Sequence, residues 1–236
     1  MAAGHGKDAK LYINGADVSA FFTQASSQAM ADVAETTTFQ QSAKTYIAGV
    51  KDGTISAQGL FAGAAGEAHA VLAAALGLDG SEMIFWPQGD ALGAFGQGVS
   101  AEQTRYSVEA PVSGVVTTSL EAQSSVGIEP VVSLRQLASA SGIVAGTGVD
   151  NAASTANGGA GYLHVAGGTF TAATIKVQHS VDNSAWTDLI TFTLVSGAAP
   201  VAQRSAVAGT VNRYLRSNLT ALTGANINFG LAFARA

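Results

Sequence analysis

The sequence predicts a mainly β protein: a β-sandwich or barrel flanked by one α-helix, followed by a second β-sandwich. Three observations predict it. Short runs alternate apolar and polar residues with a period of two, and Gly, Asn, Asp and Pro separate them. Only one stretch carries the three-and-four spacing of a helix. The composition then breaks between residues 136 and 161, where bulky side chains nearly vanish before the strand patterns resume.

The elements follow in order. In "KLYINGADVS", Asn14-Gly15 supplies the positive φ angles of a tight hairpin turn. "FFTQASSQAMADVAETTTFQQSA" has little period and reads as a long loop or ribbon, with residues 20–45 gaining order in an assembly. Lys51-Asp52-Gly53 reads as a turn. After it Ile55, Ala57 and Gly59 face one way and Thr54, Ser56 and Gln58 the other, a strand with one wet face.

"GEAHAVLAAALGLDG" is the helix, from about Gly66 to Leu76. Ala68, Val71, Leu72, Ala75 and Leu76 share its face, Glu67 suits its first turn and Gly77 its stop. "SEMIFWPQG" returns to strand. Residues 104–134 give two or three more strands, broken by Pro111 and Ser113-Gly114. "TIKVQHSVDNSAWTDLITFTLV" is a hairpin turning at Asp182-Asn183-Ser184, and "NRYLRSNLTAL" and "INFGLAFAR" are further strands. The expected domains are therefore 1–135, a small-residue linker or long loop at 136–161, and 162–236.

Composition narrows the function. Only 11% of residues are charged, against 47% hydrophobic. So poor a charge content fits a surface covered by other protein, and an alanine-rich coding bias gives the same result. No 18-residue apolar run predicts a membrane helix. Met1–Lys10 lacks the apolar core of a signal peptide, so a cytoplasmic origin is expected, and the sequon at Asn218 carries little meaning. There is no cysteine, which excludes disulfides and thiolate chemistry. Residues 1–134 carry a net −8 and residues 135–236 a net +3, as two modules in different surroundings would.

No catalytic constellation is legible. The nucleophile elbow, phosphate loop, HExxH and EF-hand patterns are missing. His5, His69, His164 and His179 each stand alone and read as packing or surface residues. "GGAGYLHVAGG" lacks the helix a phosphate loop needs. Asp182 and Asp188 are too few for calcium, and Arg213 and Arg216 form no patch. No cofactor, metal or enzymatic activity is expected.

Residues 8–134 resemble the major tail protein, or tail tube protein, of long-tailed (siphovirus-like) bacteriophages. The likeness rests on Glu35-Thr36-Thr37 with Phe39 and on "AKTYIAGVKDGTIS" through Lys44, Tyr46, Gly49, Lys51, Asp52 and Gly53. Gly59, the early "LYINGADVS" hairpin and the helix before "IFWPQG" follow in the same order. Beyond about residue 135 no tube motif matches, and "VQHSVDNSAWTDL" is similar to hairpins of accessory and carbohydrate-binding β-sandwiches.

The resemblance implies homohexameric rings stacked into a tube that conducts genomic DNA, without specific binding, from the virion to the host. It implies a place in the virion tail, assembly in the host cytoplasm and no membrane insertion. Tape measure, terminator and tail-tip proteins are the implied partners. Thr36, Thr37, Thr38, Phe39 and Tyr46 are then candidates for an inter-subunit ribbon. Asp32, Glu35, Glu102, Glu109 and Glu121 are candidates for an acidic lumen, with Val108 packing inward beside Glu109. A glycan- or cell-surface-binding β-sandwich virion protein and a capsid decoration protein remain the alternatives.

Overall fold

The computed structural model describes residues 5–195 and 199–236. It is mainly β, with one α-helix beside a 14-stranded antiparallel sheet. The strands of the first half are β1 (Lys10–Ile13), β2 (Ala16–Asp17), β3 (Phe22–Glu35), β4 (Tyr46–Leu60), β5 (Ser81–Trp86), β6 (Phe95–Glu109) and β7 (Thr117–Ser124). Those of the second are β8 (Glu129–Ala140), β9 (Val144–Ala145), β10 (Val149–Asp150), β11 (Gly159–Ser180), β12 (Thr187–Val195), β13 (Val201–Val207) and β14 (Tyr214–Arg235).

Asn14 and Gly15, at φ 48° and 93°, make the expected tight turn between β1 and β2. β1 pairs with β5 and β5 with β6. β6 joins the layers: Phe95–Gly98 pair with β8, Gln97–Ala101 with β5 and Ala101–Glu109 with β7, with a register shift after Gln103. β7 pairs with β4 and β4 with β3, so one sheet runs β3-β4-β7-β6.

The helix α1 spans Ala68–Ala75, shorter than expected. Ala68, Leu72 and Ala75 are its buried face, and Gln103 Nε2 on β6 donates to the Leu72 carbonyl at 2.8 Å. Leu76 leaves the helix in an extended conformation and Gly77 takes φ +75°, so the chain stops where a glycine permits it. Leu72 and Ala75 close a core with Leu11, Ile13, Ile55, Met83, Val99 and Leu120.

A second core lies among β11, β12 and β14, with Ile175, Val177, Phe192, Leu215 and Phe229. β11 and β14 are each 22 residues long and pair along their whole length. Register shifts and the positive φ of Gly168 and Gly224 interrupt that ladder. β12 and β13 cover separate parts of β11. Residues 136–161 hold the end of β8, the short β9 and β10, and the start of β11.

The halves meet along β8, whose residues Val131–Ala140 pair with β14. A third core spans this seam, with Tyr12, Ile84 and Trp86 against Val131, Tyr162 and Ala232. Asp90 pins it: it takes the Lys10 ammonium at 2.7 Å, the Tyr12 hydroxyl at 2.5 Å and the Leu137 amide at 2.8 Å.

Three expectations are corrected. Residues 22–35 are a strand rather than a loop, because β4 supplies a partner register from Gly59 back to Tyr46. Lys51-Asp52-Gly53 is not a turn: the three residues sit inside β4 opposite Ala31, Met30 and Ala29. Val108 does not pack inward, since the far end of β6 outruns the core and leaves it exposed. Among the described residues no helix is long and apolar enough to cross a membrane, and no three metal-ligating side chains gather.

Candidate assembly surface

The β3–β4 hairpin is longer than the body it grows from. Ile55 and Ala57 reach the core, but from Met30 to Lys51 every residue is solvent-exposed. Two strands without a packed face are marginally stable at best alone in water. Met30, Val33, Tyr46, Ile47 and Val50 leave it exposed and apolar; Val50 retains 72% of its accessible surface and Phe39, in the connection, all of it.

Local hydrogen bonds hold its end. The Thr36 amide donates to the Thr45 carbonyl at 2.8 Å, and the Thr45 amide donates to the Thr37 hydroxyl at 3.1 Å. The Thr38 amide reaches Gln41 Oε1 at 3.0 Å, and Glu35 pairs with Lys44 at 2.9 Å. Thr36 to Phe39 thus form the hairpin connection and Tyr46 opens β4 opposite Glu35.

One face of the β3-β4-β7-β6 sheet packs on the core and the other is polar. Register places Gln24, Ser26 and Gln28 beside Gln58, Ser56 and Thr54, and these beside Ser119, Glu121 and Gln123. Arg105, Ser107 and Glu109 complete it. Cross-strand bonds confirm the shared face: the Ser26 and Ser56 hydroxyls lie 2.8 Å apart, those of Ser107 and Ser119 2.6 Å, and Arg105 Nη1 is 3.3 Å from Glu121 Oε1.

The candidate acidic residues are dispersed along this sheet. Glu109 and Glu121 belong to the polar face. Glu102 stands opposite Gln123, where its carboxylate accepts the Gly80 amide at 3.0 Å and the Ser125 hydroxyl at 3.3 Å. Asp32 and Glu35 lie out on the hairpin, Asp32 beside a register shift. Sequence reading missed Asp52, which joins the same face and accepts from Gln123 Nε2 and the Gly53 amide. The period-two pattern of "TTSLEAQS" carried the signal for the β7 part of this face.

The sheet also has two unpaired edges. Among the described residues the outer edge of β3 bonds to no strand, and neither does β6 beyond Thr104 on the side away from β7. Near the β6–β7 turn, Leu60, Phe61, Val108, Val112, Val115 and Val116 form an exposed apolar patch at the end opposite the hairpin, tied together by the Phe61 amide on the Val116 carbonyl.

Two buried groups elsewhere are strongly shifted. His164 is fully enclosed, accepts the Gly15 amide on Nδ1 at 3.2 Å, and burial takes its pKa down to about 3. Burial raises Glu82 to about 7.

No family model and no curated protein matches the chain. Several solved structures are similar to it in fold. The virion of a native gene transfer agent particle contains a chain with 15% identity over 53% of this chain and 97% of its own, at a TM-score of 0.44. The tail of an empty gene transfer agent particle, refined with C6 symmetry, gives 17% identity, the same coverage and a TM-score of 0.43. The SPP1 Dit protein, of the hub adsorption apparatus in phages infecting Gram-positive bacteria, covers 96% of this chain and 98% of its own at 10% identity and a TM-score of 0.36.

Proposed function

We propose that the chain is a structural subunit of a phage tail tube, and that copies close into a six-membered ring by joining the free β3 edge of one to the free β6 edge of the next. The observation that carries this reading is the pair of edges. In the order β3-β4-β7-β6 each neighbour is antiparallel, so β3 and β6 run in opposite directions. A β6-to-β3 junction therefore continues an antiparallel ladder, and a ring removes both edges at once.

The polar face then lines the channel. Its Ser, Thr and Gln side chains offer no cationic grip to DNA, and carboxylates outnumber Arg105 on it. The core and α1 lie outside. Rings stack head to tail as the apolar hairpin of one copy covers the Val112–Val116 patch of a copy in the next ring. The division into a tube domain at 1–135, a connection at 136–161 and an outer β-sandwich at 162–236 belongs to this proposal. So do the virion location, cytoplasmic assembly, and contacts with tape measure, terminator and tail-tip proteins. The role is structural, with no reaction catalysed.

Cysteine pairing tests ring closure, because the chain has no cysteine of its own. Ser26→Cys or Gln28→Cys on β3 is combined with Arg105→Cys or Ser107→Cys on β6. At least one pair should give a ladder of disulfide-linked species ending at a hexamer on non-reducing gels. Monomers alone from every pair, in material that sediments as an assembly, would place the contact elsewhere.

A further inference from the structure

Where the halves meet, side chains from several strands converge. Arg204 on β13 bonds Glu129 on β8 twice, Nε to Oε2 at 2.9 Å and Nη2 to Oε1 at 2.7 Å. The Tyr162 hydroxyl on β11 donates to the same carboxylate and lies 3.1 Å from Arg204 Nε. Such a bidentate pair is geometrically complete.

Glu82 on β5 pairs with Ser100 and Glu129 with Gly98, two residues apart on β6, so both carboxylates stand on one face of the sheet, and Glu82 is not complete. The Ser100 hydroxyl on β6 donates to its Oε1 at 3.1 Å, while its Oε2 is buried without a partner. The charges acting on it are Arg204 from β13, which favours ionisation, and Glu129 from β8, which opposes it. Tyr162 is bonded to both. The β1–β2 turn meets only its backbone, through Asn14.

We propose that Glu82 is the proton-operated element of a latch across the seam: protonated, it leaves Arg204 to Glu129, and ionised, it competes for Arg204 and loosens β13 against β5. An ionised Glu82 needs a donor for Oε2, and the guanidinium that acts on it is already committed to Glu129. Burial is the main cause holding its proton, and it titrates at about 7. The seam is therefore tight in mild acid and looser at alkaline pH, whether or not the chain forms tubes.

Two measurements on the full chain test this. Carboxyl carbon NMR from pH 4 to 9 should show a glutamate with a midpoint of about 7 that is missing in Glu82→Gln. Amide exchange of residues 201–207, corrected for its intrinsic pH dependence, should quicken roughly tenfold between pH 6 and 8.5, the change one pKa unit carries. In Glu82→Gln that quickening should vanish. A Glu82 midpoint in the ordinary carboxylate range, or the same quickening in the variant, overturns the latch. The wild-type titration decides alone if the variant folds poorly.

Discussion

Arg105 and Glu121 face each other 3.3 Å apart across β6 and β7, and this guanidinium meets an excess of carboxylates on the polar face. Both side chains are more than half exposed, so the pair adds less than about 1 kcal/mol to the fold. Its importance is the field it leaves. Glu109 forms no ion pair among the described residues, and in a ring every copy repeats it. Glu109→Lys and Glu121→Lys should leave tubes intact but slow DNA ejection, most at low salt, where the Debye length exceeds its roughly 8 Å physiological value. Ejection rates against ionic strength check this; unchanged rates at low salt would mean the face is not the channel wall.

The exposed apolar residues of the hairpin should matter to the assembly and not to the monomer. Ile47→Asp and Val50→Asp alter side chains that touch no core, so the melting midpoint should imply a change within about 0.5 kcal/mol. Assembly should fail, because a carboxylate is buried at the new interface. Sedimentation velocity beside thermal unfolding separates the two effects.

Changes in the patch at the opposite end should separate rings from tubes. Val112→Asp with Val115→Asp leaves the β3 and β6 edges intact. Isolated rings without stacks are the expected product. Continued tube growth would place the ring-to-ring contact away from this patch.

His164 and Glu82 should bend the stability curve in opposite directions. An unfolded histidine titrates near 6.5, whereas buried His164 titrates at about 3. Its contribution is complete above pH 6.5 and is lost as pH falls toward 3. Glu82 is raised from 4.5 to about 7, so its contribution is complete below pH 4.5 and is lost as pH rises through 7. Melting temperature against pH should have a shallower acid limb in His164→Gln, which keeps an acceptor for the Gly15 amide, while Asp90, also held below its ordinary range, keeps its own share of that limb. The same curve should lose its neutral limb in Glu82→Gln.

Much of the local structure was legible in the sequence. Asn14-Gly15 marked its turn because few residues accept positive φ, and Asp182-Asn183-Ser184 marked another, with Asn183 at φ 61°. Alternation at Thr54–Gly59 gave both faces of β4 correctly, since one of them meets a core. Alternation failed from Met30 to Lys51 for the complementary reason. Neither face of that part of the hairpin is buried within the chain, so no apolar period was needed and the strands looked like a loop. Val108 was placed inside because alternation gives the side a residue faces and not where the core ends: it shares the face of Tyr106 but lies past the packed part of β6. The seam network of Glu82, Glu129, Tyr162 and Arg204 joins residues far apart in the chain, and only the paired strands bring them together.

The central claim is that β3 of one copy pairs with β6 of the next around a channel lined by the Ser26, Ser56, Ser119 and Ser107 face. Electron cryo-microscopy of the assembled full chain tests it most directly. The account predicts six-fold rings whose inner wall is one continuous antiparallel barrel, with Glu109 and Glu121 turned toward the channel. A map with the β3 edge free at the outer surface, or with an inner wall lined mainly by Lys and Arg, would contradict it.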